Sequence, residues 1–198
     1  MGLLIMLAMV LADRAGVFGT KDKPRRSGGW MDAETRKRIS PSDIETYHGK
    51  VFKVTHVADG DTLDVNIPDR VRRKHTTRIR LQGVDTPETV KPNAPVEYFG
   101  PEASRFTRQF CLDKSVRLEL DRNRHTRDKY GRLLAYVVRP AGQRPQACLN
   151  AELIRGGYGY SHPQYPHPRR EEFLKLQRQA RENRVGLWVR AKQEDPPY

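Results

Sequence analysis

Two short stretches of the chain place acidic residues where predicted strands begin or end. The first, "ADGDT", contains Asp59 and Asp61. Its Asp-Gly pair is typical of a hairpin turn, and this stretch alone is compatible with a turn and nothing more. Asp61, however, has the parity of the apolar residues Leu63 and Val65, so it points to the apolar side of its predicted strand. A carboxylate in that position needs a partner, because an unpaired buried charge is costly.

The second stretch, "RIRLQGVDTPE", brings both signs of charge to one strand end. Arg80 alternates with apolar neighbours, Asp85 ends the strand before a proline, and Glu88 follows in the turn. Oxygen atoms from Asp61, Asp85 and the Thr86 carbonyl would suit a hard divalent cation such as Ca²⁺. The alternative is a surface network of arginine and carboxylates without a metal.

A third cluster, "RNRHTRDKYGRLLAYVV", is a charged loop that returns into an apolar strand. Arg132 directly precedes this strand, which would hold its guanidinium in place, although Arg132 taken alone is typical of a solvated residue. Two fixed guanidiniums, Arg80 and Arg132, would grip a phosphate and stabilise charge developing on it. Together the three clusters supply a metal site, a free carboxylate and two guanidiniums, which are the parts needed to split a phosphodiester with water.

The charge of the chain points to the same class of partner. Its formal net charge is +13, from 37 Lys and Arg against 24 Asp and Glu, and a polyanion is the expected ligand. Nucleic acid fits best, while the alternative is a basic protein kept soluble by its charge. The stretch "IPDRVRRKHTT" adds a basic connection between the second and third strands, which either widens the nucleic-acid footprint or is a solvated hairpin tip.

The elements that must position these clusters are short strands followed by helices. Strand-like segments are "KVFKVTHV", "TLDVNI", "TRIRLQGV", "SVRLELD" and "LLAYVV", and several alternate apolar and polar residues. Helical segments are "GPEASRFTRQF", "CLNAELIR" and "RREEFLKLQRQARENR". In the last of them Phe173, Leu176, Gln177 and Ala180 share one face, and Gly186 is expected to end it. This order predicts a mainly β protein with helices (α+β), in which helices pack on a small β-barrel.

The chain divides into one domain with extensions. Residues 3–11, "LLIMLAMVL", are too few to span a bilayer, which takes about 20 residues. They resemble the apolar part of a secretory signal, without its basic start; a short anchor, a mis-assigned start and an N-terminal helix are the alternatives. We therefore expect a signal peptide or membrane anchor in 1–19, a basic linker in 20–46, the compact domain in 47–190 and a tail in 191–198. The expected location is secreted or anchored at the cell envelope, and otherwise cytoplasmic.

Cysteine and histidine contribute no recognisable metal motif. Cys111 and Cys148 have no CxxC spacing, which excludes a zinc ribbon and a disulfide-rich scaffold. Both adjoin apolar residues, so two packed thiols and one disulfide remain open. The six histidines follow no metal-ligand spacing, and none is given a role.

Four motifs carry a resemblance to a known family. The motifs "DGDT", "VDTPE", "YFGPEAS" and "DKYGRLLAYV", in this order, resemble the staphylococcal nuclease (thermonuclease) family over roughly residues 48–189. The closing "NRVGLW" is also similar to the end of that family. The resemblance implies an OB-fold, a five-stranded barrel with three peripheral α-helices. It also implies a Ca²⁺-dependent endonuclease that cuts DNA and RNA with little sequence preference, favouring single-stranded or locally open substrate.

Matching the motifs residue by residue carries family roles onto this chain. The resemblance implies Arg80, Glu88 and Arg132 as catalytic residues; Asp61, Asp85 and the Thr86 carbonyl as calcium ligands; Asp59 as a residue that positions metal-bound water; and Tyr130 and Tyr165 as substrate-binding residues. Glu88 would activate or orient the attacking water, and the two arginines would clamp the phosphate. Of the family's tyrosine-bearing loop, only Tyr165 in "YGYSHPQYPHP" matches readily, so base stacking is the least defined part of the match.

Two other function classes compete with the nuclease. A non-catalytic OB-fold module that binds nucleic acid or protein would be expected to lack an Asp, Arg or Glu of the constellation, whereas all are present. A membrane-tethered calcium-binding or adaptor domain rests only on the apolar run at residues 3–11. No protein partner is evident, and one chain holds all the proposed parts, so a monomer is expected.

Overall fold

Five strands close into a barrel in the computed structural model of this protein. The structure describes residues 41–89, 95–142, 146–162 and 164–190. In chain order the elements are α1 (Pro41–Tyr47), β1 (Val51–Asp59), β2 (Thr62–Val65), β3 (Thr77–Leu81), β4 (Val84–Asp85), α2 (Gly100–Cys111), β5 (Ser115–Glu119), β6 (Leu133–Val138), α3 (Leu149–Arg155), β7 (Tyr160–Ser161), α4 (Arg170–Glu182) and a 3₁₀ turn (Gly186–Val189). The barrel order is β1-β2-β3-β6-β5, and β4 pairs with β7 outside it. The predicted α+β fold with an OB-type five-stranded barrel is confirmed.

Hydrogen-bonded registers bring distant motifs to neighbouring positions. In the antiparallel β2–β3 pair, Thr62 lies opposite Arg80, so the acidic hairpin turn and the arginine meet at one end of the barrel. β3 and β6 run parallel, with Arg80 opposite Leu134. The chain segment before β6 therefore comes close to the connection between β2 and β3.

Apolar residues of alternating strand positions fill the barrel. Val54, Leu63, Ile79, Leu118 and Leu133 have no exposed surface. The predicted alternation holds in β5, whose apolar residues are buried while its outward residues are not. It fails in β2, where every residue is buried.

Arg78 is the physical reason for the exception in β2. It covers the outer face of the strand and donates to both carboxylate oxygens of Asp64, at 2.7 and 2.9 Å. A polar residue that alternation would leave in solvent is thereby enclosed by a neighbouring side chain.

The three predicted helices pack on the barrel. Pro101 lies in the first turn of α2, and Gly156 follows the last residue of α3. In α4, Phe173, Leu176 and Ala180 are buried as predicted, and the Gln177 side chain accepts a 2.7 Å hydrogen bond from the Ser161 amide. The expectation that Gly186 ends α4 is wrong, because the helix ends at Glu182 and Gly186 starts the 3₁₀ turn.

A fourth helix, α1, lies in the stretch that the sequence assigned to a linker. Its Asp43 is 3% exposed. The Asp43 carboxylate accepts hydrogen bonds from Arg127 Nε at 2.8 Å and Arg127 Nη2 at 2.9 Å. A partner 84 positions away cannot be read from a short polar segment, and the packed chain begins before the predicted boundary at residue 47.

Both cysteines are buried free thiols. This is the first of the two alternatives, packed thiols or a disulfide, that the sequence left open. Burial raises the pKa of the Cys111 thiol to about 12. The predicted signal or anchor at 1–19 and the predicted tail at 191–198 lie outside the described residues, as do residues 20–40 of the predicted linker. Among the residues that the structure describes, no helix is long and apolar enough to cross a membrane.

Candidate active site

The Arg80 guanidinium lies between two carboxylates at one end of the barrel. Its Nη1 is 2.6 Å from Asp61 Oδ2, and its Nη2 is 2.5 Å from Asp85 Oδ1. Nη1 also donates to the Val84 carbonyl oxygen at 2.9 Å. The chain turns after β3 so that β4 brings Asp85 back beside the arginine of the preceding strand. Three residues from two separate motifs thus form one cluster, as the sequence predicted.

Asp61 is the most enclosed member of this cluster, with 7% of its surface exposed. Its carboxylate accepts from the Thr86 amide at 3.1 Å and from the Thr62 hydroxyl at 2.9 Å. Burial raises the pKa of Asp61; the positive charge of Arg80 opposes this shift, and the negative charge of Asp85 adds to it. Two carboxylates share one guanidinium, so an additional cation would favour the ionised form of Asp61.

Thr86 lies against the turn of the β1–β2 hairpin. A Cβ atom on Gly60 would be 2.7 Å from Thr86 Oγ1, so glycine is needed for this close approach. Thr86 Oγ1 is buried and has no hydrogen-bond partner among the described residues. The Asp-Gly pair therefore does make the bend, and the bend also seats the residue after Asp85 against Asp61.

The donor chemistry of this cluster fits a hard divalent cation. Asp61 and Asp85 supply carboxylate oxygens, and Thr86 supplies a carbonyl oxygen and a hydroxyl oxygen. The hydroxyl oxygen has no hydrogen-bond partner among the described residues. Within the described ranges no group of three or more His, Cys, Asp or Glu residues is arranged to hold a metal ion. Ca²⁺ takes about six to eight oxygen ligands, so water or substrate oxygens must complete its shell.

Asp59, which the resemblance assigns to positioning metal-bound water, accepts hydrogen bonds from three separate segments of the chain. Its Oδ1 accepts from the Gly60 amide at 2.8 Å, the Thr89 hydroxyl at 2.7 Å and the Ser104 hydroxyl at 2.9 Å. The carboxylate is buried, with 6% of the residue exposed. Asp59 therefore joins the hairpin turn, the segment after β4 and helix α2.

Glu88 lies in the segment that Asp59 holds. Its backbone amide donates to Glu97 Oε2 at 3.0 Å, and its own Oε1 accepts from the Thr89 amide at 3.1 Å. The residue is half-buried. The bonds from Thr89 to Asp59 attach Glu88 to the hairpin that carries Asp61, so the structure brings the proposed base and the carboxylate cluster to the same end of the barrel.

Arg132 is held by Asp128 rather than by the Arg80 cluster. Its Nε donates to Asp128 Oδ2 at 2.6 Å, and the amides of Tyr130 and Arg132 donate to Asp128 Oδ1 at 2.9 and 3.0 Å. The guanidinium lies 5.3 Å from the centre of the Tyr130 ring, which is 64% exposed. Sequence reasoning missed Asp128, although an aspartate two residues before Tyr130 is the pattern of a side chain that organises its own turn.

Tyr165 reaches the cluster through a histidine that the sequence left without a role. The rings of Tyr165 and His162 are 4.5 Å apart, and Tyr165 is 50% exposed. The His162 amide donates to the Gly83 carbonyl at 3.0 Å. Burial lowers the pKa of His162, and the charges of Asp85 and Arg80 also act on it, so the ring lies within electrostatic range of both. The pairing of β7 with β4 brings His162 close to Asp85 and Arg80. No local pattern in the sequence predicts this pairing.

Comparisons with known proteins show which family this chain resembles. The family model described as "Staphylococcal nuclease homologue" matches residues 78–190. A protein named thermonuclease from Staphylococcus hyicus is 34% identical over 94% of this chain and 95% of its own length. A thermonuclease from Staphylococcus intermedius is 36% identical over 72% of this chain and 78% of its own length. A prophage-derived endonuclease of Bacillus subtilis is 34% identical over 66% of this chain and 41% of its own length. The chain belongs to the staphylococcal nuclease family.

Proposed function

We propose that this protein is a Ca²⁺-dependent endonuclease that hydrolyses phosphodiester bonds of DNA and RNA. The observation that carries the proposal is the Arg80 guanidinium, which bridges Asp61 and Asp85 at the barrel end that also bears Glu88. Two relatives named thermonuclease and one named endonuclease support the same reaction class.

Asp61, Asp85 and the Thr86 carbonyl would hold the metal in this proposal. When bound, Ca²⁺ would neutralise charge on a non-bridging phosphate oxygen. The buried Thr86 hydroxyl, which has no hydrogen-bond partner among the described residues, supports a cation at this place.

The residues of this chain divide the hydrolytic step between them. Glu88 orients a water molecule and accepts its proton as the water oxygen bonds to phosphorus in line with the leaving group. The bond from phosphorus to the 5′ oxygen breaks, and this oxygen takes a proton from solvent water while Glu88 releases its accepted proton to solvent. The products carry a 5′-hydroxyl and a 3′-phosphate. Arg80 and Arg132 take up the negative charge that develops on the phosphoryl oxygens. Asp128 positions Arg132 by binding its Nε.

Exposed aromatic rings supply binding that is independent of sequence. Tyr130 and Tyr165 are each at least half exposed. A base can stack on such a ring whatever its identity, and stacking requires a base that is unpaired. The need for an unpaired base supports a preference for single-stranded or locally open nucleic acid. Stacking and phosphate contacts do not involve the sugar, which supports cleavage of both DNA and RNA.

The first experiment measures cleavage of single-stranded DNA and RNA with Ca²⁺ and with excess chelator. Two variants, Glu88→Gln and Arg132→Ala, are compared with the surface controls Glu171→Gln and Arg155→Ala, whose side chains lie on α4 and α3. We expect chelator to abolish cleavage, and the two site variants to lower kcat/KM by about 100-fold or more while the controls stay within about 2-fold.

One result would replace the nuclease by the alternative function. If the wild-type protein binds single-stranded DNA but cleaves neither substrate at any Ca²⁺ concentration, the protein is a non-catalytic nucleic-acid-binding module. Cleavage that continues unchanged in chelator would instead remove the calcium ion from the proposal and leave the hydrolase.

Location and assembly are separate proposals. The apolar run at residues 3–11 supports export or anchoring at the cell envelope, and comparing culture fractions of the full chain with a variant lacking residues 1–19 tests this. A monomer is expected, because every proposed site residue comes from one chain; sedimentation of the purified protein checks it.

A further inference from the structure

The connection between β2 and β3 is rich in basic side chains. This basic loop, residues 70–75, contains Arg70, Arg72, Arg73 and Lys74. All of these are exposed except Arg72, which is half-buried. Among the residues that the structure describes, none forms an ion pair with these four side chains, whereas Arg78, Arg80 and Arg127 each pair with a carboxylate. Four cations on one exposed turn repel one another unless an anion binds there.

Hydrogen bonds to Asp69 hold the base of the basic loop. Asp69 is 1% exposed, and its Oδ1 accepts from the amides of Val71 and Arg72, both at 3.1 Å. Asp69 and Lys74 also exchange backbone hydrogen bonds of 2.9 and 3.1 Å. The backbone that carries the cations is therefore ordered before any ligand arrives, which lowers the entropy lost on binding.

The same anchor fixes the basic loop beside the Arg132 segment. Arg127 Nη1 lies 2.9 Å from Asp69 Oδ1 and donates to the Gly131 carbonyl at 2.8 Å. On the other side, Arg72 Cγ would be 3.3 Å from a Cβ atom on Gly131. One buried guanidinium thus binds the acid at the base of the basic loop and the residue between Tyr130 and Arg132.

Arg73 adds an observation about the sequence of the loop. Its φ is 52°, a left-handed conformation that costs free energy for any residue with a Cβ. Glycine or asparagine would make the same turn at lower cost. The shape of the turn therefore gives no reason for an arginine at position 73. A positive charge that is needed at the tip of the loop does give one.

We propose that the basic loop is a phosphate-binding subsite that holds the sugar–phosphate backbone of a single nucleic-acid strand on one side of Tyr130 and Arg132. This inference rests on the proposed function, and it extends the substrate contact from the scissile phosphate to neighbouring nucleotides. Arginines beside an exposed aromatic ring suit a strand whose phosphates and bases are both accessible. An acidic lipid surface is the less suitable partner, because Val71 is the one exposed large apolar residue of the loop.

The test removes two loop cations without straining the backbone. The variant Arg70→Ala/Arg73→Gly loses two charges, and glycine adopts the left-handed tip readily. The control Arg105→Ala/Arg108→Ala loses the same charge from two exposed arginines of α2. Each full-length protein is titrated in chelator with a fluorescent 20-nucleotide DNA strand and with a dinucleotide, at several salt concentrations. Cleavage of both lengths is then measured in Ca²⁺.

We expect the loop variant to weaken binding of the 20-nucleotide strand by about 10-fold at low salt. Its plot of log K against log salt should flatten by about 1.4, because about 0.7 is lost for each single-strand phosphate contact. Dinucleotide binding and cleavage should stay within about 2-fold of wild type, and the α2 control should retain long-strand binding. An unchanged affinity for the long strand, or an equal loss in the control, overturns the subsite.

The remaining outcomes separate this inference from the proposed function. If the wild type fails to cleave but the loop variant still loses long-strand binding, the nuclease is overturned and the subsite stands. If the wild type cleaves and the variant keeps its KM for the long strand, the nuclease stands and the subsite is overturned. Loss of binding to phosphatidylserine vesicles, with strand binding intact, would assign the loop to a membrane and overturn the proposal.

Discussion

The hydroxyl of Thr89 donates a 2.7 Å hydrogen bond to the carboxylate of Asp59, which lies 30 positions earlier at the end of β1. Thr89 follows Glu88 directly, so this bond ties the proposed general base to the hairpin that carries Asp61. The same carboxylate oxygen also accepts from Ser104 on α2. We therefore expect Asp59 to act on the site through its neighbours, as a positioning residue.

Thr89→Val should lower kcat with little change in KM. Valine has nearly the shape of threonine but its side chain cannot donate to Asp59. Of the two hydrogen bonds from residue 89 to Asp59, only the 3.4 Å bond from the backbone amide then remains to link the Glu88 segment to the hairpin. We expect a fall in kcat of about 10-fold and a loss of about 1–2 kcal/mol in the free energy of unfolding. Steady-state kinetics and urea unfolding measure the two effects.

Ser104→Ala is the matched control for Thr89→Val. It removes another hydroxyl from the same oxygen of Asp59, but Ser104 lies on α2 and is not next to Glu88 in the chain. A similar loss of stability with kcat unchanged is expected. If both variants lost kcat equally, the bond from Thr89 would have no special effect on Glu88. Asp59 would then support the fold and not the position of the general base.

Arg80→Lys should impair both stability and cleavage. A lysine keeps the positive charge, but it cannot bind Asp61, Asp85 and the Val84 carbonyl at the same time as the guanidinium does. We expect a loss of about 2–3 kcal/mol, because Asp61 stays buried with a weaker partner. Cleavage should fall by about 100-fold, since the fixed donors to the phosphate are also lost.

Arg78→Lys separates the two effects of the Arg80 change. Arg78 is on the same strand and makes a two-point contact with the buried Asp64. Its replacement should cost comparable stability while kcat/KM stays within about 2-fold. If both lysine variants lose activity in proportion to stability, Arg80 has no special part in the reaction.

His167 should make stability depend on pH below 6.5. The ring is 6% exposed and shares a 2.9 Å hydrogen bond with the Tyr136 hydroxyl. Burial, together with the positive charge of Arg170, lowers the pKa of His167 to about 4. Between pH 6.5 and 4 the unfolded chain therefore binds a proton that the folded protein does not, so stability falls as the pH falls.

The measurement is chemical unfolding from pH 7.5 to 4. The contribution of His167 should be fully present above pH 6.5 and should decrease by up to about 3 kcal/mol towards pH 4. In His167→Gln the slope in this window should be smaller, whatever the absolute stability of the variant. An identical slope in both proteins would contradict the assignment.

Gly157→Ala should destabilise the junction between α3 and the 3₁₀ turn. Gly157 has φ of 66°, and a Cβ atom there would overlap the Val185 carbonyl oxygen. The Gly157 carbonyl accepts from the Leu187 amide at 2.9 Å, so the two segments cannot simply separate. We expect a loss of at least about 3 kcal/mol, measured by thermal or urea unfolding.

Gly49→Ala provides the comparison for Gly157→Ala. Gly49 has a similar φ of 74°, but a Cβ atom there would meet nothing within 4 Å. Only the backbone conformation is disfavoured, so the loss should be about 1 kcal/mol. Equal losses at the two positions would mean that the overlap with Val185 relaxes without cost.

Local patterns predicted the five barrel strands and the helices α2, α3 and α4, but not α1. Strand alternation, helix starts at proline and helix ends at glycine depend on residues within a few positions of one another, so they can be read along the chain. Asp61 follows the same logic, since its parity alone places it on the buried side. Strand alternation wrongly predicted that Asp64 would face solvent. Asp64 is buried because Arg78 from the neighbouring strand covers its carboxylate.

The sequence by itself determined the strand and helix types, the basic charge, the buried orientation of Asp61 and the motifs of the family. Only the tertiary structure decided which charged groups meet. Arg127 pairs with Asp43, 84 positions away, and with Asp69, 58 positions away, and this network places the basic loop beside Gly131. The reason is physical: side-chain direction is a local property of the backbone, whereas the partner of a buried charge depends on how the barrel closes and which distant segments then share one space.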